Sequence, residues 1–476
     1  MLSKRILRVV LLLVFSLKIC ALDFDDLKDT KVNFISAVYY TEWSFYNKHY
    51  PIDVPLSQIT NIYYAFAKID PSSESTKWAD KNVALEESFP LYHAEFPNSC
   101  GARDEQLYFE LSGSKGSNEF VNSTGLIGQL SQMKELKKGL KISLAVGGEN
   151  TNTLFNKITS DDAQIENFST NLVQTMVDYG FDGLDIDWEF PTTENASKLI
   201  ALMKSLKEKF ESHERMNGLE TNSYLLSLAL PLDISSLLCY DFEILQKYVS
   251  YFNLMGYDMT GPWSEKSGYH SNLYPADDSS GASIDTSVRF LLERIDRKKL
   301  ILGMPNYGRS YDCMKPGDKF HTCANIAGVE QKKKQCIINY HDLPPDGFIE
   351  VYNSTVGSSY AYNQNRGIVF YDSPLAARQK AAYVKQMGLA GGFWWDSYGD
   401  SYCNSNNRSL LHNFVDELGG TSALKLNDEV INENFYNGQD DEPARSCAMR
   451  RHLVRTKELF NFTLCALIVF IELLLL

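Results

Sequence analysis

The stretch Phe181-Asp182-Gly183-Leu184-Asp185-Ile186-Asp187-Trp188-Glu189 places four carboxylates within eight residues, among large apolar side chains. Read as a strand from Gly183 to Glu189, it sends residues 185, 187 and 189 to one face and Leu184, Ile186 and Trp188 to the other. Burying a row of acids is costly, because the charges repel and desolvation favours protonation. Such a row belongs where a proton is shared or donated. A calcium loop would need alternating Asp/Asn ligands, a glycine at the sixth position and a distant Glu. That spacing is not met, so neither a metal nor a cofactor is expected. Asp182 has the opposite parity and is expected to support the turn before the strand.

Elements able to position these acids recur along the chain. Candidate strands run Phe34–Tyr40, Asn61–Ala67, Lys141–Val146, Gly183–Glu189, Tyr224–Leu230, Tyr251–Tyr257, Leu300–Tyr307 and Gly391–Trp395. Helical periodicity lies between several of them, as in Leu126–Leu136, Ala163–Tyr179, Ser197–Phe210, Thr286–Ile295 and Ala376–Met387. Eight strands alternating with helices predict an α/β fold, a closed (β/α)8 TIM barrel, over residues 22–418. A doubly wound open sheet is the runner-up, but no glycine-rich phosphate loop accompanies the strands. About sixty residues, 311–370, separate the seventh strand from the next helix. That is too long for a barrel loop and predicts a small α+β insertion. A second long excursion, Asp70 to about Asn122, follows strand two.

With 476 residues, 44% of them hydrophobic, the chain can build a sizeable core. Its net charge of -14 argues against a nucleic-acid partner. Lys4, Arg5 and Arg8 precede an apolar run, Val9–Leu17, and Ala21. Residues 1–21 therefore read as a secretory signal. Leaving out Cys20 and Cys465, seven cysteines remain (Cys100, Cys239, Cys313, Cys323, Cys336, Cys403 and Cys447), which in an oxidising compartment implies bridges plus a leftover thiol. Sequons at Asn122, Asn167, Asn195, Asn353 and Asn407 agree with a lumenal or extracellular body. Residues 419–459 read as a polar linker and 460–476 as a hydrophobic tail. Ser446-Cys447-Ala448 before a polar spacer fits a lipid-anchor attachment signal. A short membrane span and a frayed, translocated tail are the alternatives, and Glu472 weakens every membrane reading. The body is expected to be monomeric and secreted to the cell surface or wall.

The motifs resemble those of the family 18 glycoside hydrolases, the chitinase family, and within it the fungal cell-wall, sporulation type. Asp182-Gly-Leu-Asp185-Ile-Asp187-Trp-Glu189 matches the family's fourth-strand signature. Met255-Gly-Tyr257-Asp258-Met-Thr-Gly261-Pro-Trp263 resembles the sixth, and Gly303-Met-Pro305-Asn-Tyr307-Gly-Arg309-Ser310 the seventh. Gly388-Leu-Ala-Gly391-Gly392-Phe-Trp-Trp395 is similar to the eighth. Tyr39 and Phe66 match aromatic positions of strands one and two.

The resemblance implies substrate-assisted hydrolysis of β-1,4-linked N-acetylglucosamine, in which the 2-acetamido oxygen attacks its own anomeric carbon. Glu189 would be the general acid, Asp187 would orient the acetamide N–H, and Asp185 would share a proton with Asp187. Tyr257 would hydrogen-bond the acetamide oxygen and Trp395 would floor the pocket. Met255 and Asp258 would complete its wall, with Tyr39, Phe66, Trp263 and Arg309 in the substrate-binding set. Asp258 as a true base remains open at this point, and Tyr39, Phe66 and Trp395 have a bland alternative as barrel filling. Trp43, Trp188 and Trp394 are expected in the core.

Two positions depart from the family pattern. Where its third strand reads Ser-x-Gly-Gly-Trp, this chain has Ala145-Val-Gly147-Gly148-Glu149. Asp185 is therefore expected to lack a hydroxyl partner, unless Ser143 supplies one. Glu149 replaces an aromatic platform on the leaving-group side, which implies a weaker grip on polymer there. The family also implies a Cys336–Cys403 bridge, leaving Cys313–Cys323 as a local one. Rival readings are a chitin-binding lectin, which would be expected to lose the glutamate, an endo-β-N-acetylglucosaminidase using the same acids, and a cell-wall structural protein held by its tail.

Overall fold

The computed structural model describes residues 33–87, 125–276, 281–324, 326, 336–401 and 407–425. The expected signal and tail, the expected linker beyond residue 425, the sequon Asn122, and Cys100, Cys403 and Cys447 lie outside these residues. The first residues expected of the linker form a 3-10 turn, Thr421–Ala423, and Leu424 bridges to Phe34.

Seven barrel strands alternate with connecting segments in the first part of the chain: β1 (Ile35–Thr41), β2 (Asn61–Asp70), β3 (Lys141–Gly148), β4 (Gly183–Trp188), β5 (Leu225–Leu230), β6 (Tyr251–Leu254) and β7 (Leu300–Pro305), and a short strand, Ser75–Lys77, folds back antiparallel on β2. Five more, β8 (Tyr307–Tyr311), β9 (Ile337–Asn339), β10 (Ile349–Asn353), β11 (Ser358–Asn363) and β12 (Gly367–Tyr371), precede the last barrel strand, β13 (Gly391–Trp395). Strands β1 to β7 and β13 pair in parallel in the order β1-β13-β7-β6-β5-β4-β3-β2, and β2 pairs back onto β1. The eight expected strands thus close into a barrel, each within a few residues of its expected span.

The helices form where the sequence spaces apolar residues by three and four. In α3 (Asp162–Asp178), Ile165, Phe168, Leu172, Val173 and Met176 are buried, and the Asp161 side chain accepts from the Gln164 N–H as the N-cap. Helix α4 (Ala196–Asn217) ends at Gly218, whose φ of 66° is the left-handed C-terminal turn that glycine permits. Helices α1 (Gly125–Leu136), α2 (Asn152–Ile158), α5 (Ile284–Leu292), α6 (Pro374–Met387) and α7 (Leu410–Leu418) complete the outer layer, with α6 opening on Pro374 at its first turn.

Strand parity separates two cores. Leu184, Ile186 and Trp188 face outward into the large cluster packed under the helices. Ala37, Tyr39, Tyr63, Ala65, Ala145, Ile301 and Phe393 fill the barrel interior. Three alanines among the inward positions leave room for polar side chains in that interior.

Strands β8 to β12 form an antiparallel sheet in the order β9-β8-β12-β11-β10, placed between the seventh and eighth barrel strands. Among the described residues its helical content is one 3-10 turn, Tyr340–Asp342. The expected cysteine pairing is not found there. Cys323 is bridged to Cys336, and Cys313 is a buried free thiol. Cys313 lies two residues past β8, packed in an apolar cluster with Tyr311 and Phe370. Asn195 also differs from expectation. It is buried, its amide donates to Asn156 Oδ1 and its Oδ1 accepts from the Thr192 N–H, so it is not a free glycan acceptor.

The inserted sheet is tied to the helical layer by charge. Asp372, just past β12, and Lys380 on α6 form a salt bridge with both side chains fully buried. Lys380 also donates to Ser271 Oγ and its carbonyl at 2.6 Å, while Asp372 accepts from Ser358. Removing one partner strands the other charge in the interior. Lys380→Ala should therefore cost about 3–5 kcal/mol in denaturant unfolding, and Lys380→Met combined with Asp372→Leu should recover most of it. Equal losses in the single and double variants would contradict this.

Candidate active site

Asp185 and Asp187 point into the barrel from β4, and Glu189 follows at its C-terminal mouth. Asp185 is deepest, fully buried and satisfied on both oxygens. Its Oδ2 accepts from Tyr39 Oη at 2.7 Å, and its Oδ1 from Ser227 Oγ at 2.6 Å and Asn253 Nδ2 at 3.0 Å. These donors come from β1, β5 and β6, and Tyr63 on β2 donates to Asn253 Oδ1 at 3.3 Å. Burial pushes the Asp185 carboxyl above its usual range, and the three donors pull it back.

The expected lack of a hydroxyl at Asp185 is therefore corrected. Ala145 does lie level with Asp185 on β3, but Ser227 lies level with it on the other neighbour, β5. The hydroxyl arrives from the opposite side. Ser143 pairs with Gly183, below Asp185, and no hydrogen bond joins it to that carboxyl.

Asp187 is buried too, yet its Oδ1 has no hydrogen-bond partner among the described residues. Desolvation, then the charges of Glu189 and Asp185, raise its carboxyl well above the ordinary value. Glu189 is half-buried. Desolvation first, then Glu149 and Asp258, push it up to about 7. The Tyr257 ring packs between Tyr307 and Phe393, and burial holds its hydroxyl protonated. That hydroxyl makes no hydrogen bond to the described residues, so it remains a donor for something else.

Asp187, Glu189 and Tyr257 line one cleft of about 1250 Å³, and the fully buried Asp185 is not on its lining. The structure brings the sequence-derived set together there, with Tyr39, Phe66, Met255, Asp258, Trp263, Arg309 and Trp395 all on its walls. Trp395 lies at the base, its ring 5.4 Å from Tyr39 and 5.8 Å from Phe66. Trp188 and Trp394 are core, as expected. Trp43 is not: it is 39% exposed and extends the aromatic floor, 6.2 Å from Phe66 and 6.3 Å from Trp395. It sits in a 3-10 turn after β1, whose periodicity gives no inward or outward face to read.

The opposite wall is built by the inserted sheet. Asp258 occupies the left-handed region, φ 64°, and its Oδ1 is gripped by Tyr307 Oη at 2.6 Å and Arg309 Nη2 at 2.6 Å. A non-glycine residue pays for that backbone conformation, and the grip holds it there. Burial would raise Asp258, but His270, Arg309 and Tyr307 together hold it below the usual carboxylate range. A carboxyl held so low is a poor base, which weighs against the open reading of Asp258 in that role. Arg309 in turn lies 4.7 Å over the Trp263 ring, which is 63% exposed.

His270, fully buried with its Nδ1 3.7 Å from Asp258 Oδ1, was not legible in the sequence. Neither were Ser227, Asn253 and Tyr63. Ser227 and Asn253 carry one usable signal, a polar residue at an inward position of an otherwise apolar strand. Asp182 lies apart from the cleft, accepting from the Ile142 N–H at 2.8 Å and paired with Lys134 at 2.9 Å. Among the described residues no group of acids, histidines and cysteines could hold a metal.

Because the Ser227 hydroxyl stabilises the charged form of Asp185, Ser227→Ala should raise the titration of the Asp185–Asp187 pair. Infrared titration of the buried carboxyls should show that shift, and little change in Ala145→Ser. The reverse pattern would return the role to strand β3.

Residues 35–400 match the family model described as "Glycosyl hydrolases family 18". The chain is 33% identical over 414 residues to "Sporulation-specific chitinase 2" of Saccharomyces cerevisiae, covering 81% of this chain and 78% of that one. It is 27% identical to "Endochitinase 1" of Metarhizium robertsii, covering 86% and 89%. Among solved structures, the fold is similar to an immunomodulatory active chitinase from Trichuris suis, with a TM-score of 0.67 at 21% identity, covering 82% of this chain and all of that one. It is also similar to a mutant class V chitinase from Nicotiana tobaccum in complex with NAG4, with a TM-score of 0.63 at 19% identity, covering 82% and 100%. The acid-lined cleft thus sits in a fold and sequence shared along most of their length with these proteins, and the chain belongs to the glycosyl hydrolases of family 18.

Proposed function

We propose that the protein is a secreted, retaining chitinase that cuts β-1,4-linked N-acetylglucosamine chains with the substrate's own acetamide as nucleophile. The observation that carries this reading is the pairing of Glu189, pushed up to about 7, with Asp187 and Tyr257, whose Oδ1 and hydroxyl both lack hydrogen-bond partners among the described residues of the same cleft. A proton donor stands beside one acceptor and one donor, the set that an acetamide group needs. The chitinase names of the relatives and the bound NAG4 of the tobacco enzyme support the substrate class.

In the first step Glu189 gives its proton to the bridging oxygen as the bond to the anomeric carbon breaks. The acetamide oxygen closes onto that carbon, and the resulting oxazolinium ring carries the positive charge. Asp187 accepts the acetamide N–H and stabilises that charge, while the Tyr257 hydroxyl donates to the acetamide oxygen. Asp185, held by Tyr39, Ser227 and Asn253, shares the remaining proton with Asp187. Trp395 floors the reacting sugar. In the second step the Glu189 carboxylate takes a proton from water, which opens the ring from the face the first leaving group vacated. Two inversions give net retention.

The cleft is walled on one side by Arg309 and Trp263 from and beside the inserted sheet, which suits an extended chain. Residues 1–21 as a signal and 460–476 as an anchor signal or short span complete a reading in which a monomeric enzyme works at the cell surface or wall.

Glu189→Gln keeps size and removes the proton, so hydrolysis of N-acetylglucosamine oligomers should fall at least about a hundredfold with binding retained. In the wild type, the acid form exists below the raised carboxyl value and is lost as pH rises through about 7, so turnover should decline there. An analogue with sulfur in place of the acetamide oxygen should give a stable thiazoline and inhibit. Substantial activity in Glu189→Gln, or a covalent sugar adduct trapped on an Asp or Glu, would contradict the mechanism, and binding without turnover in the wild type would make the protein a lectin.

A further inference from the structure

Glu149 is the first residue past β3, and the β3–β4 register fixes its place. Gly147 pairs with Asp187 and Gly148 with Trp188, so Glu149 and Glu189 are each the next residue past the last pair. The two glycines allow that approach. Both have positive φ, 118° and 92°, and a Cβ on Gly147 would fall 2.1 Å from the Asp187 carbonyl oxygen. Glu149 itself is exposed, lines the cleft, and makes no hydrogen bond or ion pair with the described residues.

Its side of the cleft follows from the strand order. Glu149 follows β3, on one flank of β4, whereas Tyr257 follows β6, on the other flank. It therefore stands on the side of Glu189 away from Tyr257. Resting on the function proposed above, Tyr257 and Asp187 mark the sugar that is attacked and Glu189 the bridging oxygen. The unit that touches Glu149 is then the one just beyond the cut.

A fully acetylated unit is neutral and offers a carboxylate only hydroxyl and amide dipoles. A de-acetylated unit carries an ammonium group at C2, the one cation this class of chain contains. The same ammonium is excluded on the other side of the cut, where the reaction consumes an acetamide. We propose that Glu149 determines specificity by selecting a glucosamine unit immediately after the scissile bond, so that the enzyme cuts partially de-acetylated chains between N-acetylglucosamine and glucosamine.

The test is digestion of partially acetylated chitosan at mildly acidic pH, with the new non-reducing ends identified by mass spectrometry, beside a parallel digest of fully acetylated oligomers. All cuts in one digest share the same Glu189, so any effect of Glu149 on that acid cancels in the ratio. Wild-type ends should be enriched in glucosamine about threefold to fivefold over the chain average, the scale of one exposed ion pair. Glu149→Gln should remove the enrichment, Glu149→Asp should keep part of it, and added salt should weaken it in the wild type. Ends at the chain average in the wild type, or equal enrichment in Glu149→Gln, would overturn the assignment while leaving the chitinase reading intact. Failure to cut the fully acetylated oligomers would instead overturn the reading on which it rests.

Discussion

Three carboxyl groups at alternate positions of one strand must be accommodated at the heart of a barrel, and much of the structure follows from how that cost is met. Full burial of several like charges is prohibitive unless each is hydrogen-bonded, protonated or left near water. The chain uses all three solutions in order of depth. Asp185 takes donors from three other strands, Asp187 is driven toward its protonated form, and Glu189 sits at the mouth, where partial burial and the charges of Glu149 and Asp258 lift it. The interior is shaped to allow this. Ala37, Ala65 and Ala145 leave space that Tyr39, Tyr63 and Asn253 fill with polar ends. The apolar area needed for folding is found outside, between strands and helices, where Trp188 and Trp394 are buried.

The inserted sheet meets the same constraint from the other side. Asp258 adds a further carboxyl to an already anionic cleft, and its charge is one reason Glu189 is raised. Arg309 and Tyr307 on β8 bind it and keep it ionised, so the same ion pair both tunes the acid and stiffens a wall that ends in the exposed Trp263. The buried Asp372–Lys380 pair at the far end of that sheet fixes its position on α6. Function and packing are thus joined through one series of charged side chains.

The barrel was legible because parallel strands covered on both faces read as short apolar runs between amphipathic helices. Gly391–Trp395 forms the strand expected of it residue for residue, and β3 and β4 differ from expectation only at their ends. The acid row was legible because strand parity carries its meaning locally. Partners across the barrel were not. Ser227 and Asn253 are 42 and 68 residues from Asp185 in sequence, and only register brings them together. The missing serine at Ala145 therefore looked like a loss when the neighbouring strand had supplied the hydroxyl. Trp43 and the Cys323–Cys336 bridge were misjudged for a related reason, since each lies in a turn or loop without a period to read.

The central claim is that burial and neighbouring charge keep the Glu189 carboxyl protonated near neutral pH. Carbon-13 NMR titration of the side-chain carboxyls in the wild-type protein, with Glu189→Gln to assign the resonance, measures it directly. The account predicts a midpoint for Glu189 at about 7. A midpoint among the ordinary glutamates, at about 4.3, would contradict it.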